Sequence, residues 1–299
     1  MLNKYEVFVQ VAETRNLTKV AERYHYSQSA ISHALRALEE EIGLPLVHRA
    51  KNGITLTKYG EELLPDFRRI VCSRERLLQK ADQFRGLRRG TLRVGAFTSV
   101  SMHWIPAVAE KFAAEYPNIQ LIQSHSSYDG VEAGLQTGQL DIGFLSGYYK
   151  GNFEFMPLYQ DEYLVLLPPD DPLAQYERIP IEALNYRRFV LMEEGGEYDA
   201  WHILSRIKGA EVVHYVNEDM LAVPLVEHGI GISILPKLIL DGIATPAVKK
   251  RFAEPRYRVI GIAANSFKDA PPLAQLFIDL TKDYIETWDP DKLKASISY

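Results

Sequence analysis

Residues 16–60 read NLTKVAERYHYSQSAISHALRALEEEIGLPLVHRAKNGITLTKYG, and this stretch decides the fold of the N-terminal part of the chain. Residues Leu17–His25 predict a short helix with Asn16 as its N-cap. Residues Ser27–Ile42 predict a second helix that ends at Gly43. Two helices joined by a tight turn, the second of them polar at its front end, are typical of a helix-turn-helix.

The second of these helices separates into two faces when its residues are placed at intervals of about 100°. One face carries only Ala, Ile and Leu, which predicts that it is buried. The other carries Gln and Arg, which can hydrogen-bond to base edges, together with Ser and His, which can reach bases or phosphates. In isolation this pattern favours a solvated helix face, so the segment that follows decides between the two interpretations.

That segment, Leu44–Thr57, predicts a two-stranded wing that turns at Asn52-Gly53 and presents cations to phosphate near its tip. A basic wing after a polar recognition helix favours DNA binding over a merely solvated face. The predicted DNA-binding residues are Thr18, Ser27, Gln28, Ser29, Ser32, His33, Arg36, Arg49, Lys51 and Thr55.

The order and spacing of several short motifs resemble the LysR-type transcriptional regulators: NLTKVA at 16–21, SQSAIS at 27–32, LE at 38–39 and LTKYG at 56–60, with Gly43 and Arg49 between them. This chain departs from the family pattern at Val47, where an aromatic is usual, at Ser29, where proline is common, and at Lys19-Val20, where Arg-Ala is frequent. The resemblance implies a DNA-binding regulator controlled by a small-molecule effector, with no cofactor. It also implies a homodimer, assembling into a homotetramer, on double-stranded DNA with an interrupted inverted repeat, and contact with RNA polymerase.

Composition agrees with an intracellular regulator. The chain has 34 Lys+Arg against 39 Asp+Glu, yet its first 89 residues carry 16 against 11. The single Cys72 cannot form an intrachain disulfide, which fits a reducing cytosol. The sequence contains neither an apolar run of about 20 residues nor a signal-peptide pattern, so we expect a cytoplasmic protein without membrane association.

A long helix is predicted from Lys58 to about Leu87, followed by a hinge at residues 86–90. Apolar residues alternate at spacings of four and three, as in a coiled-coil seam, and a helix of roughly 45 Å extends beyond so small a domain. The alternative is packing on its own wing domain. Pro65 removes one backbone hydrogen bond and should kink the helix near Glu61. The predicted dimerisation residues are Leu63, Phe67, Ile70, Arg74, Leu77 and Phe84, with Arg74 as a register device.

Strands and helices alternate after the hinge, which predicts an α/β domain with largely parallel sheets. The layout, with LDIG at 140–143, PPDDPLA at 168–174 and GIGISILP at 229–236, resembles LysR-type effector domains and periplasmic solute-binding proteins. The predicted fold class is therefore α/β, with a helical winged helix-turn-helix domain (1–57), a linker helix and hinge (58–90) and a periplasmic-binding-protein-like effector domain (91–299). Its subdomains are predicted as 91–161 with 265–299, and 162–264, with crossings near Asp161 and Asn265.

A ligand site is predicted where the first strand of this domain, Thr91–Ala96, runs into residues 98–101. Hydroxyls and free N–H groups at a helix N-terminus suit a carboxylate or phosphate, although an ordinary N-cap has the same pattern. The resemblance places the effector cleft there, and ligands of open α/β sheets bind beyond the carboxyl ends of strands. The predicted effector-binding residues are Thr98, Ser99, Val100, Ser101, His125, Ser126, Ser146, Tyr148 and Glu194.

An enzyme, or a cytosolic small-molecule-binding protein with an accessory helix-turn-helix, is the competing interpretation. The sequence has no P-loop, no G-x-S-x-G and no G-x-G-x-x-G that follows a strand. Its eight His and one Cys show no metal-ligand spacing, so no metal or catalytic residue is predicted.

Overall fold

The computed structural model describes residues 3–50, 53–85, 89–147, 149–193 and 198–288. The chain divides into two compact units: residues 1–90 with 136–139, and residues 91–135 with 140–299. Of the predicted site residues, Lys51, Tyr148 and Glu194 lie outside the described residues.

The first unit is a winged helix-turn-helix followed by a long helix. Asn3, Asn16 and Ser27 cap the first three helices by accepting backbone N–H groups, and Gly43 ends the third with φ 75°. Ser27, predicted as the first residue of its helix, is thus its N-cap. The elements are α1 (Lys4–Thr14), α2 (Leu17–Tyr24), α3 (Gln28–Ile42), β1 (Val47–Ala50), β2 (Gly53–Leu56) and α4 (Lys58–Phe84).

The hydrophobic core of this unit includes the first half of α4. Phe67 is only 3% exposed and meets Phe8 of α1 edge to face, with ring centroids 4.8 Å apart. Leu63 packs against the same core, and Arg74 Nη1 donates to Glu6 Oε1 of α1 at 2.6 Å. These three predicted dimerisation residues therefore contact their own DNA-binding domain, because α1 packs along α4.

The second unit is an α/β domain. It contains β3 (Gly90–Ala96), α5 (Thr98–His103), α6 (Ile105–Glu115), β4 (Ile119–His125), α7 (Tyr128–Gln136), β5 (Ile142–Ser146), β6 (Glu154–Leu167), β7 (Arg178–Ile179), β8 (Arg188–Met192), α8 (Tyr198–Leu204), β9 (Glu211–Val216), α9 (Ala222–Glu227), β10 (Ser233–Pro236), α10 (Lys237–Leu240), β11 (Val248–Phe252), β12 (Tyr257–Ala264) and α11 (Pro272–Thr287).

The prediction of largely parallel sheets was wrong. The main sheet has the order β4-β3-β5-β12-β6-β11-β7, with β10 also paired to β6. Strand β6 pairs antiparallel with β12, β10 and β11, and β12 pairs antiparallel with β5. Parallel pairs include β3–β5, β7–β11 and β8–β9, and Phe189 of β8 also forms a parallel bridge with Ile232, so the sheets are mixed. The reason is that β6 and β12 carry the chain across the domain in opposite directions and lie side by side.

These two strands also locate the subdomain crossings. Residues 154–162 of β6 pair with β12, whereas residues 163–167 pair with β10 and β11, so the first crossing lies close to the predicted Asp161. The predicted return near Asn265 was too late. Residues Ile260, Ile262 and Ala263 already belong to the core that contains β3 and β5, so the chain returns within β12.

Other differences have local causes. Helix α5 ends at His103 and α6 begins at Ile105, because Pro106 lacks an N–H and fits the first turn of α6. Strand β11 was not predicted because its sequence, VKKRF, interrupts the apolar pattern with three cations.

The second half of β6 is buried on both faces: Tyr163, Val165 and Leu167 pack in one core, and the residues between them pack in another.

Candidate DNA-binding and effector sites

The N-terminal half of α3 presents a polar surface opposite a buried apolar face. Ile31, Leu35 and Leu38 are fully buried, which confirms the predicted division of the helix. Of the predicted DNA-binding residues that are described, only Ser32 is half-buried, and the following are exposed: Thr18, Ser27, Gln28, Ser29, His33, Arg36, Arg49 and Thr55. These side chains are able to donate or accept hydrogen bonds with base edges and phosphates.

Side-chain hydrogen bonds attach the wing to α3. Arg49, on β1, donates from Nη1 to Ser32 Oγ at 2.5 Å, which holds the wing cation beside the recognition helix. The Glu39 carboxylate accepts the backbone N–H groups of Leu46 and Val47 at 2.8 and 3.2 Å. Glu39 lies on the polar side of the helix wheel, yet its carboxylate holds the base of the wing.

The second half of α4 keeps an apolar seam exposed. Ile70, Leu77 and Phe84 recur at intervals of seven residues and are 46%, 67% and 92% exposed. Leu78, beside them, is also exposed. An apolar row at heptad spacing is the pattern by which helices associate, so these residues remain the part of the predicted seam that a second copy can cover.

A charged pair lies where α4 ends. The Arg89 guanidinium donates to both oxygens of Asp82, from Nε at 2.7 Å and from Nη2 at 3.2 Å. This hydrogen bonding by Arg89 lowers the pKa of Asp82 from its ordinary value. This ion pair connects Arg89, in the segment that follows α4 and was predicted as a hinge, with Asp82 in the last turn of α4.

A buried ionic network occupies the crossing between the subdomains. Arg258 of β12 is 1% exposed and donates to Asp161 Oδ2 of β6 at 2.8 and 3.0 Å. It also donates to Tyr128 Oη and Ser99 Oγ, both at 2.8 Å, while Asp161 Oδ1 accepts the N–H of Leu238 at 2.9 Å. One guanidinium therefore connects both crossing strands with α5 and α7, and its carboxylate partner connects them with α10.

A cavity of about 30 Å³ lies between the two subdomains, beyond the carboxyl end of β3. Its walls come from both sides: Phe97, Thr98, His125, Ser126, Ser127 and Tyr128 on one, and Met192, Asn217, Glu218 and Asp219 on the other.

Two side-chain hydrogen bonds span this cleft. Thr98 Oγ1 donates to Glu218 Oε2 at 2.8 Å, and Thr98 Oγ1 lies 3.0 Å from His125 Nε2. Ser146 Oγ donates to Asp199 Oδ2 at 3.0 Å, between two buried residues. The structure thus holds the two walls together through neutral hydroxyls that donate to carboxylates.

The predicted effector-binding residues divide into two groups. Thr98, His125 and Ser126 line the cavity. Ser99 and Val100 are fully buried, and Ser146 is 2% exposed, so they support the walls instead of lining this cavity. Ser101 Oγ donates to the carbonyl of Ala96. Ser99 Oγ accepts from Arg258, and no side chain caps the start of α5, so the anion site expected at this helix N-terminus stays a prediction.

Sequence reasoning missed Arg258, Asp199 and Glu218. Arg258 stands inside an otherwise apolar strand, YRVIGIAA, and a charge in such a run is a recognisable sign of a buried ion pair. Glu218 follows a strand end, as cleft residues do. Asp199 opens a short helix after residues that the structure does not describe, and the sequence offers no comparable sign there.

One buried histidine lies close to this region. Burial lowers the pKa of His103, at the end of α5, below its ordinary value. Its backbone carbonyl accepts from Tyr284 Oη of α11 at 3.1 Å. This residue ties α5 to the C-terminal helix.

Within the described ranges, no group of three or more His, Cys, Asp or Glu side chains could hold a metal ion. Among the helices that the structure describes, none combines the length and apolar character required for crossing a membrane.

Two family models match the chain. Residues 2–61 match "Bacterial regulatory helix-turn-helix protein, lysR family", and residues 85–286 match "LysR substrate binding domain". The "Uncharacterized HTH-type transcriptional regulator YvbU" of Bacillus subtilis is 29% identical over 290 residues, covering 94% of this chain and 98% of its own length.

Solved structures share the fold. Full-length OxyR C199D from Pseudomonas aeruginosa has a TM-score of 0.75 at 23% identity, covering 97% of this chain and 96% of its own. Full-length CbnR complexed with its target DNA has a TM-score of 0.66 at 21% identity, covering 94% and 98% respectively. The curated relatives are transcriptional regulators, which confirms the prediction of a regulator and not an enzyme. The chain belongs to the LysR family of transcriptional regulators, with an N-terminal DNA-binding domain and a C-terminal effector-binding domain.

Proposed function

We propose that this regulator reads DNA with the polar surface of α3 and steadies itself on phosphate with its wing. The observation that carries the proposal is the hydrogen bond from Arg49 Nη1 to Ser32 Oγ. It places a cation of the wing beside the helix that would enter the major groove. A guanidinium has five N–H donors, so Arg49 retains donors for phosphate while bonded to Ser32. The structural likeness to CbnR, which was solved in complex with its target DNA, supports a DNA-binding role for this unit.

The exposed seam of α4 supports a homodimer, and the proposal extends to a homotetramer formed by two such dimers. Leu77 and Phe84 are too exposed to stabilise the monomer, and pairing two seams would remove their apolar surface from water. Two reading heads related by a two-fold axis would recognise an interrupted inverted repeat. Contact with RNA polymerase and a cytoplasmic location belong to the same proposal, because transcription and its DNA template are found there in bacteria.

The cleft of the second unit is proposed as the effector site. Thr98, His125 and Ser126 on one wall face Glu218 on the other, and a ligand that separates or rearranges these walls changes the balance of domain states. Such a ligand alters DNA affinity only by its differential affinity for the two states, with a coupling typically of about 1–3 kcal/mol.

Arg36→Ala is expected to weaken binding to the preferred duplex by about 1–3 kcal/mol, because an arginine on this face can bond a guanine edge in two places. The measurement is fluorescence anisotropy of full-length protein on a duplex selected by the wild-type protein from a random pool. Arg206→Ala, which removes a charge from the second unit, is the matched control. An equal loss on scrambled duplex would make Arg36 a phosphate contact instead.

Arg49→Ala is expected to weaken binding on selected and scrambled duplexes alike and to reduce the slope of log K against log salt by about one. The reason is that a phosphate contact releases a counterion but carries no base preference. Titrations at four salt concentrations give the slope. A slope equal to that of wild type would remove the wing from the phosphate-binding surface.

A further inference from the structure

We propose that Glu39 is a positioning residue for DNA binding. Its carboxylate fixes the wing relative to the recognition helix α3 and thereby sets where Arg49 meets the DNA backbone. The proposal rests on the proposed role of the wing in binding phosphate, and it adds the residue on which that role depends.

The junction between α3 and the wing carries backbone donors that need acceptors. Helix α3 ends at Gly43 and β1 begins at Val47. Between them Pro45 has no N–H, and Leu46 is 0% exposed, so the N–H of Leu46 has no access to water. Glu39 Oε1 accepts the N–H groups of both Leu46 and Val47, at 2.8 and 3.2 Å. Because a buried N–H without an acceptor is costly, this carboxylate holds the first residues of the wing against α3.

The second strand of the wing is attached to the same residue. The carbonyl of Leu46 accepts the N–H of Thr57, which follows β2, at 3.0 Å. Leu46 therefore bonds α3 through its N–H and the end of the wing through its carbonyl. Strands β1 and β2 pair along their whole length, so a displacement at Leu46 is passed on to Arg49.

Glu39 is placed to act on the wing and not on bases. It lies in the last turn of α3, whereas the first residues of a recognition helix enter the major groove. The other attachment of the wing, from Arg49 to Ser32, lies seven residues earlier on the same helix, which is about 10 Å along its axis. Two attachments so far apart prevent the wing from rotating about either one, and this keeps the guanidinium of Arg49 beside α3.

Hydrogen exchange of the full-length protein without DNA tests the attachment. Both bonds end on Oε1, so Glu39→Gln removes the charge but keeps an acceptor oxygen at the same reach. Glu39→Asp keeps the charge but shortens the side chain by one methylene. Mass spectrometry of the peptide that contains Leu46 and Val47 should show faster exchange in Glu39→Asp and almost wild-type exchange in Glu39→Gln. Glu40→Asp and Glu40→Gln, at the exposed neighbouring position, are the matched controls.

Salt titrations on selected and scrambled duplexes test the consequence for DNA. Glu39→Asp should weaken binding to both duplexes by about five-fold or more and lower the slope of log K against log salt, as Arg49→Ala does. Glu39→Gln should bind as the wild-type protein does. Arg49→Ala should cost much less affinity in the Glu39→Asp background than in wild type, because a displaced wing has already lost that contact.

Different results would overturn the two proposals. A wild-type slope in Arg49→Ala would refute the phosphate role of the wing and with it the role of Glu39 in DNA binding. If Arg49→Ala does lower the slope, three results would each refute the positioning role alone: unchanged exchange in Glu39→Asp, an equal loss of affinity in Glu39→Gln and Glu39→Asp, or an equal cost of Arg49→Ala in both backgrounds.

Discussion

Replacing Arg258 with methionine is expected to lower the free energy of unfolding of the effector-binding domain by about 3–5 kcal/mol, because the substitution leaves Asp161 buried without its cation. The tryptophans at 104, 201 and 288 all belong to this domain, so their fluorescence during urea unfolding reports its stability. The wild-type protein and the variant are compared at the same protein concentration.

Two further variants show whether the loss of stability in Arg258→Met comes from leaving a buried charge unpaired or from removing any arginine. Arg251→Met removes an arginine that is half exposed and 3.3 Å from Glu162, where an exposed ion pair contributes at most about 1 kcal/mol. The double variant Arg258→Met with Asp161→Leu removes both buried charges and should recover much of the loss, since buried ion pairs can often be replaced by apolar residues. A loss in Arg258→Met no larger than that in Arg251→Met would contradict the role assigned to the network.

Phe67→Ala and Leu77→Glu are expected to change two different properties, because one residue is buried and the other is exposed. Phe67→Ala should lower the stability of the DNA-binding unit, and Leu77→Glu should weaken self-association. Phe67 is packed against Phe8, so its truncation should destabilise the DNA-binding unit by about 3–5 kcal/mol. Leu77 is 67% exposed, so Leu77→Glu should leave the fold of the monomer intact. In the proposed dimer the new carboxylate would be buried in the seam, and this should weaken self-association by about ten-fold or more.

Far-UV circular dichroism during urea unfolding and sedimentation equilibrium distinguish these effects. Phe67→Ala should lower the unfolding midpoint of the helical unit, and Leu77→Glu should shift the monomer–dimer equilibrium. Lys80→Glu, a charge reversal three residues further along the same helix, is the control for added negative charge. An unchanged association constant in Leu77→Glu would remove the exposed seam from the dimer interface.

The parts of the fold that could be predicted from sequence depend on local rules. The helix-turn-helix follows from caps at Asn16 and Ser27, a glycine end at Gly43 and one apolar face on α3. The direction of strand pairing in the second unit could not be predicted in this way. Alternating strands and helices favour parallel sheets, but whether β6 and β12 become neighbours depends on contacts between residues about a hundred positions apart.

The same limit applies to the two candidate sites. Exposed side chains on a single helix, such as Gln28 and Arg36, follow from helical geometry. Cleft residues depend on which segments meet across the domain, so Thr98 and His125 were identified from strand ends while their partner Glu218 was missed. The helix seam shows a third case, because heptad spacing alone does not say whether Phe67 faces its own domain or a second copy.

The two strands that cross between the halves of the effector domain share one antiparallel ladder, and this limits how the halves can move. Strands bonded along their length cannot slide independently, so rotation of one half must appear as added twist of the ribbon they form. The ladder shifts register between Ile260 and Gly261, where a Cβ on Gly261 would come within 2.3 Å of the carbonyl oxygen of Met156. Such an irregularity concentrates twist. The register shift at Ile260 and Gly261 is therefore the point in this ladder where a change of twist between the two halves is expected to concentrate.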